Sequence, residues 1–136
     1  MGDLRKEGAI LTISEVSEKY GISQDTLRYY ERVGLIPRVP RKANGIRVYD
    51  EHSCGWVEFI RCMRSAGLPI EVLIEYVGLY QQGDGTKEVR KQLLLNQRDQ
   101  LIARINEMQV TLERLNGKIA HYGRVNEATE SLKKEK

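Results

Sequence analysis

Apolar positions near the start of the chain recur with helical spacing in two short runs that a glycine separates. Thr12-Ile13-Ser14-Glu15 has the T-x-x-E form of a capping box, in which the threonine side chain accepts from the Glu15 amide and Glu15 reaches back to the Thr12 amide. The helix it opens places Ile13, Val16 and Tyr20 on one face and Glu15, Glu18 and Lys19 outside, and Gly21 ends it. Ser23 is a second N-cap, and Gln24 to Val33 reads as a second helix that stops at Gly34. Two short helices joined by a tight turn form a helix-turn-helix, although many all-helical cores contain such pairs.

The pattern then changes. Pro37 and Pro40 block helix, and Asn44-Gly45 is the dipeptide of a two-residue type I′ hairpin, in which both central residues take positive φ. Beyond the turn, Ile46 and Val48 alternate with Arg47 and Tyr49. A hairpin behind a helix-turn-helix is a wing. Asp50 caps a third helix reaching about Ala66, with Trp56, Phe59, Ile60 and Met63 as its apolar face. Pro69 suits the first turn of a fourth, whose core face is Ile70, Leu73, Ile74 and Val77, and Gly83-Asp84-Gly85 breaks it.

From Thr86 the texture is that of a heptad. Ile105, Leu112 and Ile119 fall at a, and Leu101, Met108, Leu115 and Tyr122 at d. Leu94 extends the seam backward, with Arg98 at an intervening a position. A helix over 86–125 is roughly 60 Å long at about 1.5 Å per residue. That is too long to pack entirely on so small a domain, so its stripe calls for a partner chain and a homodimer. The expected organisation is mainly α: a winged helix-turn-helix over 11–83, a coiled-coil dimerisation helix over 86–125 and a charged, disordered tail over 126–136.

Charge sharpens this picture. The whole chain of 136 residues carries a formal net charge of only +3. Yet Arg32, Arg38, Arg41, Lys42 and Arg47 fall between Arg32 and Tyr49 with no Asp or Glu among them. A local basic patch attracts phosphate even on a nearly neutral protein, so double-stranded DNA is the expected partner. Arg38, Arg41, Lys42 and Arg47 are candidates for backbone or minor-groove contact. In the second helix Gln24, Asp25 and Thr26 occupy the first turn, where docked recognition helices meet base edges; Asp25 can equally complement the helix dipole. Arg28 and Tyr29 suit phosphate and sugar. Tyr30 is a candidate for DNA contact or, with Leu27, for the core. No apolar run approaches the roughly 18 residues of a membrane span, and a reducing cytoplasm is the expected setting.

Two cysteines remain, Cys54 and Cys62. The wheel places Cys54 on the polar side of the third helix, in or just past the first turn, where the dipole favours thiolate. It places Cys62 at the edge of the apolar face, where a free cysteine is ordinarily an inert hydrophobe, although Arg61 and Arg64 nearby favour a thiolate. Eight helical residues set the two about 12 Å apart, too far for a disulfide within one chain. His52 and Cys54, two positions apart, do not share a helix face and fill no zinc site, so no metal or cofactor is expected. No catalytic constellation is visible and an enzyme is not expected. A coiled-coil adaptor remains the other class, against which the one-sided charge of the wing speaks.

The stretch from Thr12 to Val77, with "TLRYYERVGLI" followed by Arg41, Gly45-Ile46-Arg47 and Tyr49, resembles the MerR family of bacterial transcription regulators, closest to its thiol-based, aldehyde-responsive branch. The resemblance implies a winged-helix domain, antiparallel pairing of the long helices and activation by twisting promoter DNA at a near-palindromic operator, with RNA polymerase as a partner there. "FIRCMRSAGL" matches the branch at its sensor cysteine, which implies that role for Cys62 and leaves Cys54 the lesser candidate. The long helix has no cysteine near its start or after its end, so the ligands of the metal-sensing branches are missing. The stretch beyond the coiled coil is too short for the drug-binding domain of the multidrug-sensing members. A regulator or repressor of the same family with a non-thiol effector remains the alternative.

Overall fold

The computed structural model describes residues 10–135, with side chains as far as Arg124. Within them lie α1 (Ile13–Tyr20), α2 (Gln24–Val33), α3 (Glu51–Ser65), α4 (Ile70–Gln81) and α5 (Lys87–Glu135), with a 3-10 turn over Asp84–Thr86. The fold is mainly α. Among the described residues β pairing is confined to two isolated antiparallel bridges, Leu11 with Tyr49 and Arg41 with Arg47. The chain divides into two compact units, Met1–Leu95 and Asn96–Lys136.

The helix-turn-helix forms for the local reasons its residues supply. Glu15 N donates to Thr12 Oγ1 at 3.1 Å and Thr12 N to Glu15 Oε1 at 2.9 Å, completing the capping box. A cap of this kind stabilises a helix by about 1 kcal/mol. Gly21 turns the chain at φ 65°, and Ser23 then caps α2 by accepting from Thr26 N at 3.1 Å. Val16 of α1 and Leu27 and Tyr30 of α2 meet Leu35, Ile36, Val39, Tyr49, Val57, Ile60, Leu68 and Leu73 in one core.

The wing turns differently from the expected type I′ hairpin. Gly45 N donates to Lys42 O and Lys42 N to Ile46 O, both at 2.9 Å, so the loop holds three residues, Ala43, Asn44 and Gly45. Gly45 alone of these takes positive φ, at 87°. This is the three-residue hairpin loop with glycine at the left-handed position. Asn44 avoids positive φ by another route: its Oδ1 accepts from Ile46 N at 3.1 Å, which favours a turn of its own. The alternation holds, but Tyr49 is the buried member and Ile46 is 54% exposed.

On α3 the apolar face is rotated from its expected position. Cys54, Val57 and Ile60 are buried, while Trp56, Phe59 and Met63 flank the core. The two aromatic rings pull a helical wheel toward themselves, yet they pack sideways on α4, with the Trp56 and Tyr80 ring centroids 4.9 Å apart. Cys54 is therefore inside the fold and Cys62 outside it, which corrects the wheel's assignment of both.

Thr86 joins α4 to α5: its hydroxyl lies 2.7 Å from Leu79 O and accepts from Arg90 Nε at 3.0 Å. The helical backbone of α5 continues past Val125 to Glu135, so most of the stretch expected as a disordered tail is helical; Lys136 lies outside the described residues. In the second unit Ile105, Met108, Leu112, Leu115, Ile119 and Tyr122 are all exposed, Met108 by 70%.

Candidate DNA interface and sensor thiol

The outer face of α2 gathers three of the expected contact residues. Arg28 donates to Asp25 Oδ1 at 3.0 Å and to Gln24 Oε1 at 3.4 Å. Asp25 is almost fully exposed, so the pair contributes little to stability, and the guanidinium can exchange it for a phosphate at small cost. Thr26 is engaged locally, its Oγ1 lying 2.8 Å from the Ser23 hydroxyl at the cap. Tyr29 is half-buried, with the Arg32 guanidinium 5.5 Å from its ring centroid. Tyr30 does not share this face. It is 8% exposed and packed in the core, and burial pushes its phenol up despite the opposing charges of Arg64 and Arg61. Of its two expected places, the core is where it sits.

The wing arginines divide into two kinds. Arg38 and Lys42 are exposed and, among the described residues, form no ion pair with a carboxylate. Arg41 and Arg47 instead converge on Glu31, in the last turn of α2. Arg47 Nε donates to Glu31 Oε1 at 2.7 Å, and Arg41 reaches the same oxygen at 3.4 Å. Oε2 accepts from Val39 N at 2.8 Å. Arg41 also donates to Gly45 O at 3.2 Å, tying the hairpin loop to this cluster. Burial raises the Glu31 carboxyl, but the hydrogen bonds from Arg47 and Val39 and the charges of Arg47 and Arg41 outweigh it and hold the group below its ordinary range. Sequence reasoning missed Glu31. The available signal was its position immediately before the acid-free basic stretch, but nothing local says that its partners lie up to sixteen residues away.

The two thiols occupy opposite environments. Cys54 lies against the Tyr49 carbonyl, with Sγ to O 3.9 Å. Burial pushes its thiol up, against the weaker lowering by Lys19 and a hydrogen bond with Tyr20; the helix dipole does not decide its state. Cys62 lines an open hollow with Arg61, Ser65 and Ala66. Arg64 is spent elsewhere, donating to Leu68 O at 2.7 Å across the turn between α3 and α4. Trp56 Nε1 donates to His52 Nε2 at 3.2 Å, which occupies that imidazole nitrogen. Among the described residues no three His, Cys, Asp or Glu side chains gather as a metal site. No helix of the described residues is long and apolar enough to cross a membrane.

Known proteins agree with this geometry. The model of the MerR HTH family regulatory proteins matches residues 11–78, and the MerR DNA-binding model matches residues 55–118. The HTH-type transcriptional regulator AdhR of Bacillus subtilis is 55% identical over 92 residues, which cover 68% of this chain and 66% of AdhR. The crystal structure of a MerR family regulator from Listeria monocytogenes superimposes with a TM-score of 0.88 at 48% identity, over 90% of this chain and 94% of that one. HiNmlR, a MerR family regulator lacking the sensor domain and solved bound to promoter DNA, matches with a TM-score of 0.78 at 30% identity, over 85% and 91%. These relatives are transcriptional regulators and not enzymes. With a helix-turn-helix, a short basic wing and a long following helix in this order, the chain belongs to the MerR family of DNA-binding transcriptional regulators, in the branch of AdhR and NmlR.

Proposed function

We propose that the chain acts in the cytoplasm as a homodimer on a near-palindromic promoter operator, distorts the DNA to activate transcription by RNA polymerase, and is switched by electrophiles at Cys62. Two copies of α2 enter successive major grooves, with half-sites about one helical turn (roughly 34–36 Å) apart or a multiple of it. Arg28 and the wing residues Arg38 and Lys42 contact the backbone, while Gln24 and Asp25 meet base edges. The MerR family membership and the likeness to DNA-bound HiNmlR support this docking.

The observation that carries the thiol switch is the contrast between an exposed Cys62 and a buried Cys54 on one helix. A thiolate is the attacking form. Its sulfur adds to an aldehyde carbonyl carbon, the oxygen takes a proton from water, and a hemithioacetal results. The adduct would sit beside the turn from α3 to α4, which Arg64 fastens to Leu68 O. To act as a switch, the adduct need bias that turn by only about 1–3 kcal/mol, the scale of a typical allosteric coupling. Cys62→Ser should keep operator binding and lose the response to aldehyde in a promoter-driven transcription assay. Full induction in that variant would return the thiol to a passive role.

One feature favours a non-thiol effector as the second reading. Trp56, Phe59, Tyr76 and Tyr80 line an open aromatic hollow between α3 and α4. Induction that survives Cys62→Ser and is lost when Gly55, on the same hollow, becomes leucine would point there.

A further inference from the structure

Glu31 makes a connection that neither the helix-turn-helix nor the wing makes alone. Its carboxylate is half-enclosed at the end of α2, and its two oxygens accept from the Val39 amide, Arg47 Nε and the Arg41 guanidinium at 2.8, 2.7 and 3.4 Å. Arg41 and Arg47 also face each other across the only bridge in the hairpin among the described residues. One side chain of the recognition helix therefore fixes where two wing cations lie. Arg38 and Lys42, on the same wing, form no ion pair with a carboxylate among the described residues.

We infer that Glu31 is a specificity-determining residue: it latches Arg41 and Arg47 to α2, so that they meet phosphate only in the register in which α2 is seated on its operator. The inference rests on the proposed docking of α2 and the wing on DNA. On other duplexes α2 is not seated, and latched arginines cannot adjust to phosphates that lie elsewhere. Freed arginines can follow any backbone, because phosphate attraction carries no sequence information. Withholding two cations from indiscriminate contact lowers non-specific binding more than operator binding.

Glu31→Gln breaks the latch with little change of size. An amide has one acceptor oxygen, and its NH2 would face a donor. Binding of the full chain to its own operator and to a random duplex, each over a range of salt, is the measurement. The expected result is an operator-to-random affinity ratio lowered at least about tenfold. The salt slope on random DNA should steepen, by up to about 0.9 for each freed arginine. The triple variant Glu31→Gln, Arg41→Gln, Arg47→Gln should lose that extra slope. A residue that merely stabilises the fold would lower both affinities together and leave the ratio and slope as they were; that outcome overturns the inference. Should Glu31→Gln fail to fold, Glu31→Asp keeps the charge but withdraws it by one methylene, and a wild-type ratio in that variant is equally fatal. Arg38→Ala with Lys42→Ala distinguishes a failure of the latch from a failure of the docking. If neither that pair nor the triple variant changes the salt slope from wild type on operator or random DNA, the wing does not touch DNA and the inference falls with the docking. If the pair flattens the slope while Glu31→Gln keeps the ratio, the docking stands and the inference alone falls.

Discussion

Cys54 and Cys62 lie about two turns apart on α3, yet their sulfurs meet different chemistry. Cys54 is 8% exposed, and burial holds its thiol protonated beyond the ordinary range. Cys62 opens to solvent beside Arg61 and Ser65. Both access and thiolate fraction set the rate of attack on an electrophile. Iodoacetamide at neutral pH should therefore alkylate Cys62 at least about tenfold faster than Cys54, read by peptide mass spectrometry. The gap should close in denaturant. Equal rates in the native protein would mean that α3 opens readily and that burial does not protect Cys54.

At the scale of elements, the wing stands on very little regular structure. Its hairpin has one bridge, a Val48 N to Pro40 O bond of 2.8 Å and the turn around Gly45. Two strands this short are not stable by themselves, so the Glu31 cluster adds to the core packing of Val39 and Tyr49 in attaching the wing to α2. Its pH dependence follows from the lowered carboxyl. The contribution is fully present above the unfolded value of 4.5 and is lost as pH falls through the lower folded value. The Val39 amide proton shift, followed by NMR, should thus titrate below pH 4.5, while Glu31→Gln should abolish the step. A midpoint at or above the ordinary value would show that the arginines do not hold the carboxylate in solution.

Across the whole molecule, α5 is the part whose exposed chemistry is least explained by one chain. Leu112 is 50% and Leu115 55% exposed, within a row of apolar residues at heptad spacing. Fully covering a leucine stabilises by about 1.5–3 kcal/mol, and covering one already half covered by roughly half of that, so several such positions together favour a second copy. Leu112→Arg should put an unpaired charge in that seam, at a cost of several kcal/mol, and give monomers that lose operator binding. A variant that still sediments as a dimer would place the seam elsewhere. Arg98, at an a position, disfavours a fully apolar parallel register.

Local physics made much of this legible before any fold was known. The capping box at Thr12, the Ser23 cap, the glycine stops and the heptad of α5 depend on neighbours within a few residues or on strict period. Each of those helices begins where its cap stands. The choice between candidates on one helix was not local. Trp56 and Phe59 look like the centre of an apolar face until α4 takes them at its flank, which turns Cys54 inward and leaves Cys62 out. Tyr30 has the same composition of ring and hydroxyl as Tyr29, and only the packing of the α2 face against the core separates them. Asn44-Gly45 announces a hairpin, but the number of loop residues followed from the pairing of Lys42 with Ile46. Glu31 depended on tertiary structure most of all. A single carboxylate gains meaning only when folding brings two arginines and an amide from a distant hairpin to its oxygens. Sequence thus determined where elements start, stop and repeat, because those are short-range energies. The tertiary structure decided which side chains are spent inside the protein and which remain exposed, because that depends on contacts between residues far apart along the chain.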